Sequence, residues 1–184
     1  TYLQQCGRLF DSVEEVIGQL HAAGYRTGIV TSQARRRTDQ VLRVLPVLAE
    51  AAEVLVTWDD VGSERKKPNP YPIELALKRL SVDPSGAYYA GDSPSRIQAG
   101  RRAGVKTVAV GWGLTPLDVL MGEKPDYAIR ALSEKKGAEI AFDRPVAGWQ
   151  GSPSNFRAGG LICGCGELIA LRGPAIAREM HQIY

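Results

Sequence analysis

The sequence lacks long apolar runs, a large excess of charge and a cysteine framework. None of its apolar runs approaches the ~18 residues that a membrane-spanning helix needs, so no membrane partner is expected. The net charge of +3 is too small to predict a nucleic-acid partner. Three cysteines, an odd number, do not make a disulfide framework, which favours a reducing compartment, and we expect a cytoplasmic protein.

What is present is the composition of an ordinary globular protein. Hydrophobic residues make up 44% of the chain and charged residues 23%. A length of 184 residues suits one domain with an appendage. Because the first residue is Thr1 rather than Met, we expect that a segment precedes it. Nothing in the sequence predicts the oligomeric state.

The first part of the chain pairs a helix with a strand. Ser12 and Glu15 have the spacing of a capping box, and the apolar residues that follow recur at helical intervals until Gly24. The β-branched run "RTGIVTS" then predicts a buried strand that ends in the hydroxyls of Thr31 and Ser32.

The same alternation continues to about residue 135. Helices are predicted over 34–45, from Pro72, over 94–103 and from Pro116. Strands are predicted at "EVLVTW", "AYYAG", "KTVAVGW" and "DYAIRAL". Strands that alternate with helices pair in parallel, so residues 12–135 predict a doubly wound, Rossmann-like α/β core.

The helical and strand periodicities are lost from about residue 136. Residues 136–184 form a predicted irregular extension of unknown role, which begins with a turn-rich linker. Within it, "LICGCGELIAL" is apolar enough for a strand, and 174–182 for a short helix. Cys163 and Cys165 are most simply strand residues, since a zinc site usually needs four ligands and only His181 could join them.

Three polar residues that could carry chemistry follow one another along the core. Thr31 ends one predicted strand, Lys67 lies in "KKPNPYP", and Asp92 ends the strand "AYYAG". Taken singly they could be a turn cap, a solvated lysine and a helix N-cap. Together, a hydroxyl and an ammonium can hold phosphoryl oxygens while a carboxylate binds Mg²⁺. We therefore predict that Asp92 is a metal ligand.

Three segments resemble motifs of the haloacid dehalogenase superfamily, in particular its phosphoglycolate phosphatase and β-phosphoglucomutase-like branch. "GYRTGIVTS", "KKPNPYPIELAL" and "AGDSPSRIQAGRRAGV" are similar to the second, third and fourth motifs and occur in the family's order, within about residues 9–134. The resemblance implies a phosphatase that acts on a small phosphorylated metabolite through an aspartyl-phosphate. Thr31 and Ser32 would bind phosphate, Lys67 would hold the phosphate and the charge of the nucleophile, and Asp92 would ligate Mg²⁺.

The sequence departs from this family at its most important position. The family's nucleophile is the first residue of an Asp-x-Asp motif, and none of these 184 residues forms one. Asp11 is followed two residues later by Val13, and Asp143 by Pro145. Arg96 replaces a second acid that is often found in the fourth motif but that some branches of the family lack, so it weakens the predicted metal site without abolishing it.

The strand that precedes the nucleophile normally lies in the middle of the family's sheet, between the strands that end at Thr31 and Asp92. Without it, two buried strand edges would have no hydrogen-bond partners. Either the chain is a fragment of a longer hydrolase, or "LICGCGELIAL" fills the gap. The sequence favours the fragment, in which residues 1–11 are the remnant of a helical cap and the chain alone is inactive. The alternative function is an inactive relative that binds phosphate or a protein partner.

Overall fold

The computed structural model describes residues 13–22, 25–113, 115–130 and 160–164, the last of these as backbone. Several predictions therefore lie outside the described residues. These are the cap remnant at 1–11, the capping residue Ser12, the linker, and the helix at 174–182. Asp11, Asp143, Cys165 and His181 also lie outside them.

Six strands and seven α-helices are described. The strands are β1 (Arg26–Val30), β2 (Val54–Val56), β3 (Tyr88–Gly91), β4 (Lys106–Val110), β5 (Tyr127–Ile129) and β6 (Gly160–Gly164). The helices are α1 (Val13–Ala22), α2 (Arg35–Val44), α3 (Pro46–Ala51), α4 (Trp58–Val61), α5 (Tyr71–Leu80), α6 (Pro94–Arg102) and α7 (Leu117–Met121). No helix of the described part is long and apolar enough to cross a membrane.

The strands form one parallel sheet in the order β2-β1-β6-β3-β4-β5. This confirms the predicted doubly wound α/β fold. Strands buried on both faces read as nearly continuous apolar runs, and in β1 only Arg26 is not buried. Tyr88 and Tyr89 are neighbours in β3 but belong to different apolar clusters, since successive side chains of a strand point to opposite faces.

The helices bury the faces that their spacing predicted. In α1, Val13, Val16, Ile17 and Leu20 are all buried. The strand predicted at "EVLVTW" is shorter than expected, because the chain turns into α4 at Trp58. Asp60 causes this turn, since its carboxylate accepts hydrogen bonds from the backbone and the hydroxyl of Thr57, at 2.7 and 2.9 Å.

The gap in the middle of the sheet is filled by β6. This strand pairs with β1 from Arg26–Gly160 to Val30–Gly164, and with β3 from Tyr88–Leu161 to Ala90–Cys163. Of the two alternatives for the gap, the structure therefore has the less favoured one, a strand from "LICGCGELIAL". Cys163 is a strand residue, as its simplest interpretation predicted.

Candidate functional site

Thr31 lies at the carboxyl edge of the sheet, directly after β1. Its side chain is buried, and its backbone N–H donates to the carbonyl of Val56 at 2.8 Å. The Thr31 hydroxyl accepts a hydrogen bond from the backbone of Gln33 at 3.1 Å, so it also shapes the turn after the strand. Ser32, predicted to share its role, is exposed. Thr31 is thus fixed in place at the edge, and Ser32 faces solvent.

Lys67 lies between α4 and α5 and reaches across two strands of the sheet. Its Nζ donates to the carbonyl of Val30 on β1 and to the hydroxyl of Tyr89 on β3, both at 3.1 Å. Because Val30 directly precedes Thr31, the ammonium lies beside the end of β1. The half-buried lysine is therefore held against the edge of the sheet rather than solvated in a loop.

The loop that carries Lys67 is held at both sides. The backbone of Asn69 donates to the carbonyl of Lys66 at 3.0 Å, and the Asn69 side chain accepts from the backbone of Tyr71 at 2.9 Å. Arg102 on α6 donates to the carbonyl of Pro68 at 2.9 Å. These bonds tie the loop to the start of α5 and to α6, so the position of Lys67 depends on several elements.

Tyr89 belongs to this candidate site, although the sequence did not predict it. Its side chain is fully buried in the apolar cluster beneath α5 and α6. A buried tyrosine hydroxyl needs a hydrogen-bond partner, and here that partner is the ammonium of Lys67. The only signal in the sequence was the hydroxyl of a tyrosine on a predicted strand, three positions before Asp92. A tyrosine in that position is equally typical of a hydrophobic core.

Asp92 lies directly after β3 and is 5% exposed. Its Oδ1 forms an ion pair with Nη1 of Arg96, one helical turn further on. The stem of Arg96 packs over Gly91, where an added Cβ would lie 2.6 Å from the Arg96 Cβ. On the other side, a Cβ added to Gly113 would lie 2.5 Å from Oδ2 of Asp92. Only glycine at 91 and 113 lets the pair be enclosed so closely.

The strand register places the three predicted site residues at one edge. Gly28 of β1 and Tyr89 of β3 both lie level with Ile162 of β6, so Thr31 and Asp92 are level across the intervening strand. Two strand spacings separate their backbones, which is roughly 9–10 Å. Lys67, bonded to both flanking strands, lies in the same part of the edge.

The described residues do not fit a magnesium ion at Asp92. Mg²⁺ requires near-octahedral oxygen ligands and usually keeps several waters. Here the donor set contains one carboxylate, which is ion-paired with Arg96 and closely covered by Gly113. Among the residues that the structure describes, no three His, Cys, Asp or Glu side chains lie together to hold a metal. Magnesium at Asp92 thus stays a prediction from the sequence.

Known proteins match both the sequence and this fold. Residues 3–110 match the sequence model of the haloacid dehalogenase-like hydrolase family. A pyrophosphatase, PpaX, of Bacillus velezensis is 37% identical over 125 residues, which are 68% of this chain and 56% of that protein. The chain therefore belongs to the haloacid dehalogenase superfamily of hydrolases, in the branch that its motifs predicted.

Solved structures agree at the level of the fold. One described as a phosphoglycolate phosphatase of Lactobacillus plantarum is 29% identical, with a TM-score of 0.53, and the match covers 62% of this chain and 60% of that one. A second structure is the hydrolase YfnB of Bacillus subtilis, which is described as bound to magnesium. It has a TM-score of 0.59 at 21% identity, and the match covers 71% of this chain and 55% of YfnB. The chain spans little more than half the length of the curated relatives it matches.

Proposed function

We propose that this chain carries the phosphate-binding part of a phosphatase-type hydrolase. One observation supports this most strongly: the ammonium of Lys67 is held by the Val30 carbonyl at the end of β1 and by the Tyr89 hydroxyl on β3, the strand that leads to Asp92. Open α/β sheets bind ligands at the carboxyl ends of their strands. A phosphate there would meet a fixed positive charge and the hydroxyl of Thr31.

Lys67 and Thr31 have complementary roles in this proposal. The ammonium forms charge-assisted hydrogen bonds to phosphoryl oxygens and compensates the negative charge that they carry. Because Val30 and Tyr89 already hold Nζ in place, little reorganisation is needed when the phosphate arrives. The hydroxyl of Thr31 accepts from the backbone of Gln33, and a hydroxyl group of this kind is one that phosphate oxygens accept hydrogen bonds from.

The nucleophile is proposed to come from residues other than these 184, because the sequence contains no Asp-x-Asp motif. An aspartate oxygen would attack phosphorus while the bond from phosphorus to the leaving oxygen breaks, forming an aspartyl-phosphate; the leaving oxygen is the ester oxygen of a monoester or the bridging oxygen of pyrophosphate. Water would then attack this phosphorus, release phosphate and regenerate the aspartate. A strand leading to that aspartate would take the position between β1 and β3 that β6 has here.

The relatives suggest two substrate classes for this site. One relative is named a pyrophosphatase, and one solved structure carries the name of a phosphoglycolate phosphatase. Both substrates present a terminal phosphoryl group to an edge of the kind formed by Thr31 and Lys67. We therefore propose pyrophosphate or the phosphate monoester of a small metabolite, with the choice made by residues outside the described site.

Hydrolysis assays with pyrophosphate and para-nitrophenyl phosphate test this function. The 184-residue chain should release no phosphate above background, because neither Thr31 nor Lys67 can form an acyl-phosphate. The protein extended by the coding sequence upstream of Thr1 should be active, and Lys67→Met should abolish most of that activity.

Two outcomes would contradict the proposal. Turnover by the 184-residue chain that disappears in Lys67→Met would place the nucleophile within this sequence. An inactive extended protein would contradict the proposed activity, and an active one that is insensitive to Lys67→Met would remove Lys67 from the chemistry. Lys66→Met is the matched control, because Lys66 is the exposed neighbour of Lys67 and its loss should leave the rate unchanged.

A further inference from the structure

Arg96 gives Asp92 a permanent cationic partner. The two side chains are 13% and 7% exposed, so this ion pair lies largely out of water. Four residues separate them along the chain, Asp92 preceding α6 and Arg96 lying in its first turn. Charges that are shielded from solvent interact more strongly than surface charges, and the pair is correspondingly hard to separate.

The surroundings of the pair prevent a simple rearrangement. The Arg96 stem lies against Gly91, where its Cδ would be 3.1 Å from an added Cβ. Gly113 lies directly against Oδ2 of the same carboxylate. A hydrated cation at Asp92 would have to displace the guanidinium and leave Arg96 buried without its counter-charge, which is strongly unfavourable.

We propose that Arg96 takes the place of a divalent cation at Asp92, so that this site binds a phosphate group without a metal ion. The guanidinium neutralises the carboxylate, and without that neutralisation Asp92 would repel an approaching phosphate. Lys67 then supplies the net positive charge. The phosphate part of this inference rests on the proposed function, whereas the exclusion of a divalent cation stands on the ion pair alone.

The exclusion is tested with Mn²⁺ as the probe, by the loss of the free-ion signal in electron paramagnetic resonance. The wild-type chain should bind no Mn²⁺ at Asp92. Arg96→Asp removes the guanidinium and adds a second carboxylate one turn away, and should raise Mn²⁺ affinity about tenfold or more. Arg101→Asp on the same helix is the control, since Arg101 is exposed and the charge change is identical. Arg96→Ala serves as a second variant if Arg96→Asp does not fold by circular dichroism.

Wild-type Mn²⁺ binding that is lost in Asp92→Asn would overturn the inference. The inference would also be overturned if the wild type and the folded Arg96→Asp and Arg96→Ala variants all failed to bind Mn²⁺. An equal gain of Mn²⁺ affinity in Arg101→Asp would overturn it as well. For the second part, inorganic phosphate should bind the wild type equally well in EDTA and in Mg²⁺. Phosphate binding that needs Mg²⁺ would overturn it. If phosphate binds under neither condition, the proposed function fails, and the Mn²⁺ titrations still decide the role of Arg96.

Discussion

The side chain of Lys67 is restrained far more than is usual for lysine. A free lysine has about 2 kcal/mol of rotamer entropy to lose when it is fixed in one geometry. Two acceptors, the Val30 carbonyl and the Tyr89 hydroxyl, hold its ammonium within the folded chain. Folding has therefore already paid that entropic cost, and an incoming phosphate meets a positive charge that is in position.

Asp60 is a second residue whose environment has a measurable consequence. Burial alone would raise its pKa. The pKa is nevertheless held below its usual value by hydrogen bonds from the Thr57 backbone, from Arg79 and from the Thr57 hydroxyl, and by the positive charge of Arg79. The guanidinium of Arg79 lies 2.6 Å from the Asp60 carboxylate and so links α5 to the start of α4. A carboxyl whose pKa is lowered by folding stabilises the fold above its unfolded pKa, and that contribution is lost as the pH falls through the folded pKa.

Asp60→Asn should therefore lower the free energy of unfolding by about 1–2 kcal/mol at pH 7. The difference from wild type should shrink below the unfolded pKa of about 4, since the wild-type carboxyl is then being protonated as well. Urea unfolding at neutral and acidic pH measures this. The control is Asp118→Asn, an exposed carboxylate in the first turn of α7, which should cost no more than about 0.5 kcal/mol. An Asp60→Asn difference that is constant with pH would contradict the assignment.

Among the elements, β6 matters most to the sheet. It is the only described strand that joins the β1–β2 half to the β3–β4–β5 half. A central parallel strand satisfies backbone groups on two neighbours at once, so its loss would leave both β1 and β3 with an unpaired edge. The stability of the whole sheet should therefore depend on a five-residue strand far along the chain.

Ile162→Pro tests this dependence. Ile162 lies level with Gly28 on one side and Tyr89 on the other. Proline removes the backbone N–H and is not tolerated in a central strand, so the variant should lose ~3 kcal/mol or more of stability. Urea unfolding followed by circular dichroism measures the change. Ile162→Val keeps the N–H and a β-branched side chain and should unfold almost as wild type. A proline variant with an unchanged, cooperative transition would show that β6 does not hold the sheet together.

The elements also show what local sequence can predict. Strands β1 to β5 and the main helices follow from apolar periodicity, because side-chain burial repeats every two or 3.6 residues along the chain. Helix α4 was missed because four residues carry no period, and only the Thr57–Asp60 spacing marks its start. The position of β6 was considered but not favoured, since pairing between distant segments leaves no local pattern.

The candidate site, like the fold, could be predicted from the sequence only in part. Thr31, Lys67 and Asp92 could be placed at one edge because each follows or faces the end of a predicted strand. The contact between Lys67 and Tyr89 could not be predicted, because it joins residues 22 positions apart on a loop and a strand. Arg96 was recognised as a departure from the family's pattern, but its pairing with Asp92 depends on the turn that leads from β3 into α6.

At the scale of the whole molecule, the sheet brings two candidate functional groups to one edge from separate parts of the chain. Thr31 comes from the β1–α2 connection and Lys67 from the α4–α5 connection, and the packing of both sheet faces keeps these connections in place. We propose that this edge binds phosphate through Lys67. Such binding does not depend on where the nucleophile lies or on how the central position of the sheet is filled.

Calorimetric titration of the chain with inorganic phosphate, carried out in EDTA and again in Mg²⁺, measures this binding. We expect saturable binding to the wild type, a loss of about tenfold or more in Lys67→Met because one charge-assisted hydrogen bond is removed, and wild-type affinity in Lys66→Met. Equal affinities in all three proteins, or no binding to the folded wild type in either buffer, would contradict the account.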